Sequence, residues 1–252
     1  MTRFRVVTAC YKDEEVLCQW LPILDTNKIP YTVYFKDDSL TKGQEDSIDH
    51  SRIKIPNYGR CDYAFLYHIV KNYNSLDDIT LFVKNNWQEQ HIRVWDHINE
   101  CQVYDFMESG KQRRFQYWSS KHDIYPRHEE IHTSKHIFAQ TTIDWYREIF
   151  PNVEPPIFVP GWGMAPCFSV SKRLIQRHSK NVYESLLQKF YPESGSWNIE
   201  EGKKYFKTME EQMNDIGKHY HDCFSRFWQV LFTHNLPPNM YRISNNNWNP
   251  YD

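Results

Sequence analysis

Apolar positions follow two rhythms along this chain, and their alternation predicts its architecture. Phe4-Arg5-Val6-Val7-Thr8-Ala9-Cys10-Tyr11 reads as a buried strand. The acidic residues of Lys12-Asp13-Glu14-Glu15 then suit the first turn of a helix from Glu15 to Leu24. Pro30 introduces Tyr31-Thr32-Val33-Tyr34-Phe35, a second strand of β-branched and aromatic residues that stops at Lys36-Asp37-Asp38-Ser39. Leu40 to Ser51 is polar and reads as a loop, and Arg52-Ile53-Lys54-Ile55 as a short strand closed by Pro56-Asn57-Tyr58-Gly59. Tyr63, Leu66, Ile69, Val70 and Tyr73 keep helical spacing, which predicts a helix from Asp62 to about Tyr73. Ile79-Thr80-Leu81-Phe82-Val83 is a further strand, emptying into Lys84-Asn85-Asn86.

Three strand-helix units in so short a stretch predict an α/β fold with a doubly wound, mainly parallel sheet flanked by helices. Its ligand crevice would lie beyond the carboxyl ends of the strands. The later chain is less regular. Helices are expected around Arg93 to Cys101, Thr142 to Phe150, from about Lys172, and from about Asp222 to Thr233, with a strand at Cys167 to Val170. Between them lie a basic loop (Lys111 to Arg114), a tract holding His122, His128, His132 and His136, and a charged insertion from Pro192 to Lys207. The histidine tract lacks the H-E-x-x-H spacing of a zinc protease and reads as surface. With no linker and no internal repeat, residues 1–252 are expected to form one domain, with a donor half over about 1–100 and an acceptor half over about 101–252.

Composition narrows the functional classes. The net charge of -2, from 30 basic and 32 acidic residues, gives no counterion-release drive for binding nucleic acid. No apolar run approaches the length of a membrane span, and Phe4 to Val7 begins a strand without a preceding secretory signal, so a cytoplasmic location is expected. Six cysteines are scattered without a C-x-x-C pair, which favours reduced, mostly buried thiols. Aromatic residues make up 16% of the chain, enough to serve a core, a stacking surface, or both.

Two strand-end segments carry candidate chemistry. Tyr11 offers an aromatic wall for a base, and Asp37 or Asp38 an acceptor for a base N–H or ribose hydroxyls; a simple Asp-Asp-Ser turn is the alternative. In Asn57-Tyr58-Gly59-Arg60-Cys61-Asp62, an arginine beside a glycine turn at a helix start suits diphosphate oxygens. A surface Arg60–Asp62 pair is the alternative there. No G-x-G-x-x-G follows the first strand, which disfavours a dinucleotide cofactor.

Val6-Val7-Thr8-Ala9-Cys10-Tyr11 and Pro56-Asn57-Tyr58-Gly59-Arg60, together with Trp20-Leu21, Leu66-Tyr67-His68-Ile69-Val70-Lys71-Asn72-Tyr73, Thr80-Leu81-Phe82, Cys167-Phe168-Ser169-Val170-Ser171-Lys172-Arg173-Leu174-Ile175 and Arg226-Phe227-Trp228-Gln229-Val230-Leu231-Phe232, resemble an uncharacterised fungal and viral family known as a domain of unknown function. The layout also resembles GT-A glycosyltransferases. That resemblance implies sugar transfer, in the inverting sense, from a nucleotide sugar such as a UDP-sugar to a carbohydrate or other hydroxyl acceptor. It implies donor roles for Tyr11, Asp37, Asp38, Asn57, Arg60 and Asp62, and for Lys84, Asn85 and Asn86, which stand where such enzymes place a metal-binding Asp-x-Asp.

The last substitution matters chemically. Amides bind hard cations more weakly than carboxylates, and a lysine can neutralise phosphate charge without a metal. A divalent cation, Mn²⁺ or Mg²⁺, is thus implied by the resemblance but left open by the residues. The resemblance further implies acceptor stacking by Trp162, set between Gly161 and Gly163, metal ligation by His219 and His221, and a general-base role for Asp222. Asp222 also suits the N-cap of the last helix. Two other classes fit parts of the chain: a noncatalytic carbohydrate-binding protein using the aromatic surfaces, and a metal-dependent hydrolase using the histidine tract.

Overall fold

A computed structural model describes residues 2–12, 14–85, 104–108, 116–117, 144–153, 158–159, 167–191, 227–228 and 230–243. Strand β1 (Phe4–Cys10) leads to helix α1 (Glu14–Thr26), which keeps Pro22 in its interior, and then to β2 (Tyr31–Asp37). β3 (Asp46–Ser47) and β4 (Arg52–Pro56) precede α2 (Arg60–Asn72) and β5 (Ile79–Lys84). The later elements are β6 (Phe106–Glu108), β7 (Gln116–Tyr117), β8 (Phe158–Val159), β9 (Phe168–Ser171), α3 (Lys172–Ile175), α4 (Lys180–Gln188) and β10 (Tyr241–Ile243). Residues 144–149 and the described residues of 227–233 are also helical. β7 and β8 pair separately as a small antiparallel ribbon.

The fold is α/β around an eight-stranded sheet ordered β10-β6-β9-β5-β1-β2-β4-β3. β4, β2, β1 and β5 are parallel, whereas β9 runs antiparallel to both β5 and β6, so the sheet is mixed. The chain starts at β1, steps outward through β2 to β4, and returns to the other side of β1 as β5. The strand order therefore reverses between β1 and β5, the point beyond whose carboxyl ends open α/β sheets bind ligands.

Side-chain alternation distributes each strand between two cores. Val6 and Cys10 of β1 pack with Leu17, Trp20 and Leu24 of α1 on one face. Val7 and Ala9 face the opposite way, into the larger core built with α2, α4 and the late helical residues Phe227, Trp228, Val230, Leu231 and Phe232. Aromatic rings dominate this second core. Phe168 alone contacts Phe65, Phe82, Phe106, Trp228 and Phe232, which accounts for much of the aromatic content as packing.

Most early elements lie within two residues of their expected bounds. β3 lies inside the segment read as loop because two exposed residues carry no apolar rhythm, and β10 follows the last expected helix. The helix expected at Arg93 to Cys101, the basic loop, the histidine tract and the insertion from Pro192 to Lys207 fall outside the described residues. Cys10, Cys61 and Cys167 are buried thiols outside any disulfide, and Cys18 is an exposed one. No helix among the described residues is long and apolar enough to cross a membrane.

Candidate functional site

The carboxyl end of β1 and the segment after β2 meet at the rim of the sheet. Tyr11, 37% exposed, donates its hydroxyl to Asp38 Oδ2 at 2.7 Å. Asn57, in the loop after β4, donates Nδ2 to Asp38 Oδ1, also at 2.7 Å. Lys12 adds its ammonium at 3.4 Å from Asp38 Oδ2 and lies over the Tyr11 ring, 4.6 Å from its centroid. Lys12 adopts φ 60, the left-handed turn that lets the chain leave β1 here. The hydrogen bonds from Asn57 and Tyr11, followed by Lys12, hold Asp38 below the usual carboxylate range. An anionic carboxylate is thus fixed beside an exposed aromatic ring, with lone pairs left for a further donor.

Its neighbour Asp37 has a different task. Asp37 Oδ1 accepts from the backbone N–H and the hydroxyl of Ser39, at 2.8 and 2.6 Å, closing the turn and lowering the Asp37 carboxyl. The two adjacent carboxylates are therefore held in different ways. Asp37 makes the turn, while Asp38 faces Tyr11 and Asn57.

The loop before α2 is clamped by three successive residues of the β2 end. Lys36 donates its ammonium to the Tyr58 carbonyl, the Asp37 carbonyl accepts from the Asn57 N–H at 3.2 Å, and Asp38 takes the Asn57 amide. Gly59 caps α2 at φ 48, without a side-chain hydrogen bond at the cap, and sits against the ring of Phe190. Arg60 is the first residue of the helix.

Asp62 is apart from the Asp38 cluster. It is fully buried, and its Oδ1 accepts from Trp228 Nε1 at 2.6 Å, which ties the first turn of α2 to the late helix. Loss of that donor in Trp228→Phe is expected to cost about 2–3 kcal/mol of stability, measured by urea unfolding. An unchanged midpoint would show that the bond contributes nothing net.

At the β5 end, Lys84 is half-buried and its backbone N–H donates to Cys167 Sγ at 3.4 Å. Asn85 is buried. Its side-chain amide donates to Cys10 Sγ at 3.7 Å, and its carbonyl accepts from Trp20 Nε1 at 3.0 Å. A hard dication is poorly suited by this set. Lys84 brings an ammonium rather than a carboxylate to the β5 end, and Asp38 already has the Lys12 cation 3.4 Å from its Oδ2. Among the described residues no group of three or more His, Cys, Asp and Glu side chains is arranged to hold a metal. Asn86, Trp162, Gly163, His219, His221 and Asp222 lie outside the described residues, as does the Arg60 side chain.

One basic residue at this rim is not marked by its sequence context. Lys36 looks like the first polar residue beyond a strand that ends at Phe35. The period-2 alternation carried one step further would have placed it on the same face as Tyr34.

Residues 6–241 match the family described as "Protein of unknown function (DUF3431)". The chain belongs to that family. The match takes in β1 from Val6, β2, the Asn57 loop and β5, so the whole rim cluster lies within the family domain. No curated protein matches the chain.

Proposed function

We propose that this DUF3431 protein is a glycosyltransferase of GT-A type that takes a sugar from a nucleotide-sugar donor, a UDP-sugar, and passes it to a hydroxyl acceptor. The observation that carries this reading is the Asp38 carboxylate, held by Tyr11 and Asn57 at the carboxyl ends of parallel strands beside the point where strand order reverses. A nucleoside has the matching chemistry: a flat ring to stack on Tyr11, and a base N–H or ribose hydroxyls to donate to Asp38. In the transfer, the acceptor oxygen bonds to the anomeric carbon as the bond from that carbon to the diphosphate breaks. The electron pair leaves with the diphosphate, and the acceptor proton passes to a base, the role the sequence offers to Asp222.

The test is ligand binding, since a ligand selective for the native state raises apparent stability. Uridine and UDP are expected to raise the melting temperature, with NAD and ATP inactive. Asp38→Ala is expected to weaken uridine binding about 10- to 100-fold by calorimetry, the usual loss for a charge-assisted hydrogen bond. The variant should melt close to the parent, because Asp38 is exposed. Absence of any shift with nucleosides and nucleoside diphosphates at millimolar concentration would overturn the reading.

A further inference from the structure

Lys12 stands where a ligand of the rim site has to bind. In an extended strand neighbouring side chains point to opposite faces, but the left-handed backbone of Lys12, at φ 60, breaks that alternation just beyond the end of β1. Its stem folds back over the ring of Tyr11, with the ammonium 4.6 Å from the ring centroid. The same ammonium is 3.4 Å from Asp38 Oδ2, the oxygen that accepts from the Tyr11 hydroxyl. A ring that stacks on this face of Tyr11 while donating to Asp38 Oδ2 therefore meets the ammonium and must displace it.

Displacement is feasible because both groups are on the surface. Lys12 and Asp38 are exposed, so their pair is weak, and the four-carbon stem lets the ammonium turn elsewhere. Local charge decides what it can turn to. Lys12 is the only basic residue between Arg5 and Lys28, and Asp13, Glu14 and Glu15 follow it directly. β1 borders the reversal of strand order, where open α/β sheets take their ligands. A phosphate arriving there finds one cation in the connection from β1 to α1, ahead of three carboxylates.

We infer that Lys12 makes this site selective for nucleotides over nucleosides, by exchanging Asp38 for the phosphate of the ligand. The inference rests on the nucleotide-sugar reading above and assigns a specificity-determining residue to that ligand. A bare nucleoside displaces the ammonium from Asp38 and Tyr11 and returns nothing to it. A nucleoside phosphate displaces it too, but offers anionic oxygens in exchange. Neutral rings are thereby held at a disadvantage, although Tyr11 and Asp38 suit them.

Calorimetric titration of the full chain with uridine and with UDP tests this on the parent, Lys12→Met, Lys12→Gly and Lys12→Arg. Lys12→Met is expected to bind uridine about 3- to 30-fold more tightly, the worth of an exposed ion pair together with a cation–π contact. It should bind UDP no more tightly than the parent, so the preference for UDP over uridine falls about 10-fold or more. Lys12→Gly also lacks the ammonium but accepts the positive φ without strain, and should show the same two results. Lys12→Arg keeps the charge and should keep the parent's preference within about threefold. A merely structural role for Lys12 would weaken both ligands together, which is the opposite of the gain expected for uridine. If the parent binds both ligands and neither neutral variant gains uridine affinity, the inference is overturned and the nucleoside reading stands. Equal gains for uridine and UDP would overturn it as well, because the ammonium would then be an obstacle alone. Absence of binding of either ligand to the parent and to every variant would overturn the nucleoside reading and the inference with it.

Discussion

Replacing Gly59 with alanine is expected to destabilise the protein by about 2–5 kcal/mol and to disturb the candidate site at the same time. Two independent costs add. Gly59 has φ +48, where a Cβ costs about 1–2 kcal/mol. That Cβ would also lie 2.0 Å from Phe190 Cδ1 and 2.3 Å from its Cε1, distances at which the ring or the loop has to move. Phe190 is fully buried within the α2-side core, so its movement is an overpacking problem costing a further 1–3 kcal/mol or so.

A double-mutant cycle separates the two costs. Phe190→Leu relieves part of the clash and leaves φ unchanged, so Gly59→Ala should cost less on that background, by at least about 1 kcal/mol. Additive effects would assign the whole loss to backbone strain. Because the Asn57-Tyr58-Gly59 loop brings Asn57 to Asp38, the surviving folded fraction should also bind uridine more weakly.

The contrast between Gly59 and Lys36 shows what the sequence discloses. A glycine before a helical apolar rhythm marks a turn, and its neighbours Asn57 and Arg60 could be singled out on chemical grounds alone. The backbone hydrogen bonding of β1, β2 and β5 was legible too, because buried parallel strands concentrate β-branched and aromatic residues. The pairing of Asp38 with Tyr11 was legible only as a shared rim, since the sequence gives no distance between residues 27 positions apart. Which of Asp37 and Asp38 would close the turn depended on where β2 ends, and β2 extends to Asp37 rather than stopping at Phe35.

Asp62 illustrates the opposite error to which short-range patterns are prone. Beside Arg60 it resembles half of a surface pair, yet Asp62 is fully buried and one of its oxygens accepts from Trp228, 166 residues away. Only tertiary contact supplies that information. β6 and β10 were hidden for a related reason, since each is three residues long and forms a strand by pairing at the sheet edge rather than by its own composition.

Stability is expected to fall steeply as the solution is acidified from about pH 6.5 toward pH 3, with His68 as a principal cause. His68 is buried in α2, and burial, followed by the charge of Arg5, lowers it to about 3. The local geometry favours the neutral ring. Nδ1 faces the Tyr34 hydroxyl at 3.0 Å and the Asn72 amide nitrogen at 3.4 Å. An amide nitrogen donates and cannot accept, so Nδ1 is the unprotonated acceptor and Nε2 carries the hydrogen.

The sign follows from proton counts. Between the two pKa values the unfolded chain binds a proton on His68 that the native protein does not, so stability rises with pH throughout that window. The contribution is fully present above about pH 6.5 and is lost as pH falls toward the folded value. Each pH unit inside the window is worth about 1.4 kcal/mol, which amounts to roughly 5 kcal/mol over the full interval. His178 and His234, also lowered chiefly by burial, act in the same direction.

Urea midpoints at intervals from pH 7 to pH 4 for the parent and for His68→Gln would isolate this one group. Glutamine keeps an acceptor for Tyr34 and does not titrate, so the variant should be less stable at pH 7 but lose about 1 kcal/mol less per pH unit on acidification. The two curves should therefore converge near pH 4. Parallel curves would show that His68 titrates alike in the folded and unfolded states, and would assign the acid sensitivity to the remaining histidines and carboxylates.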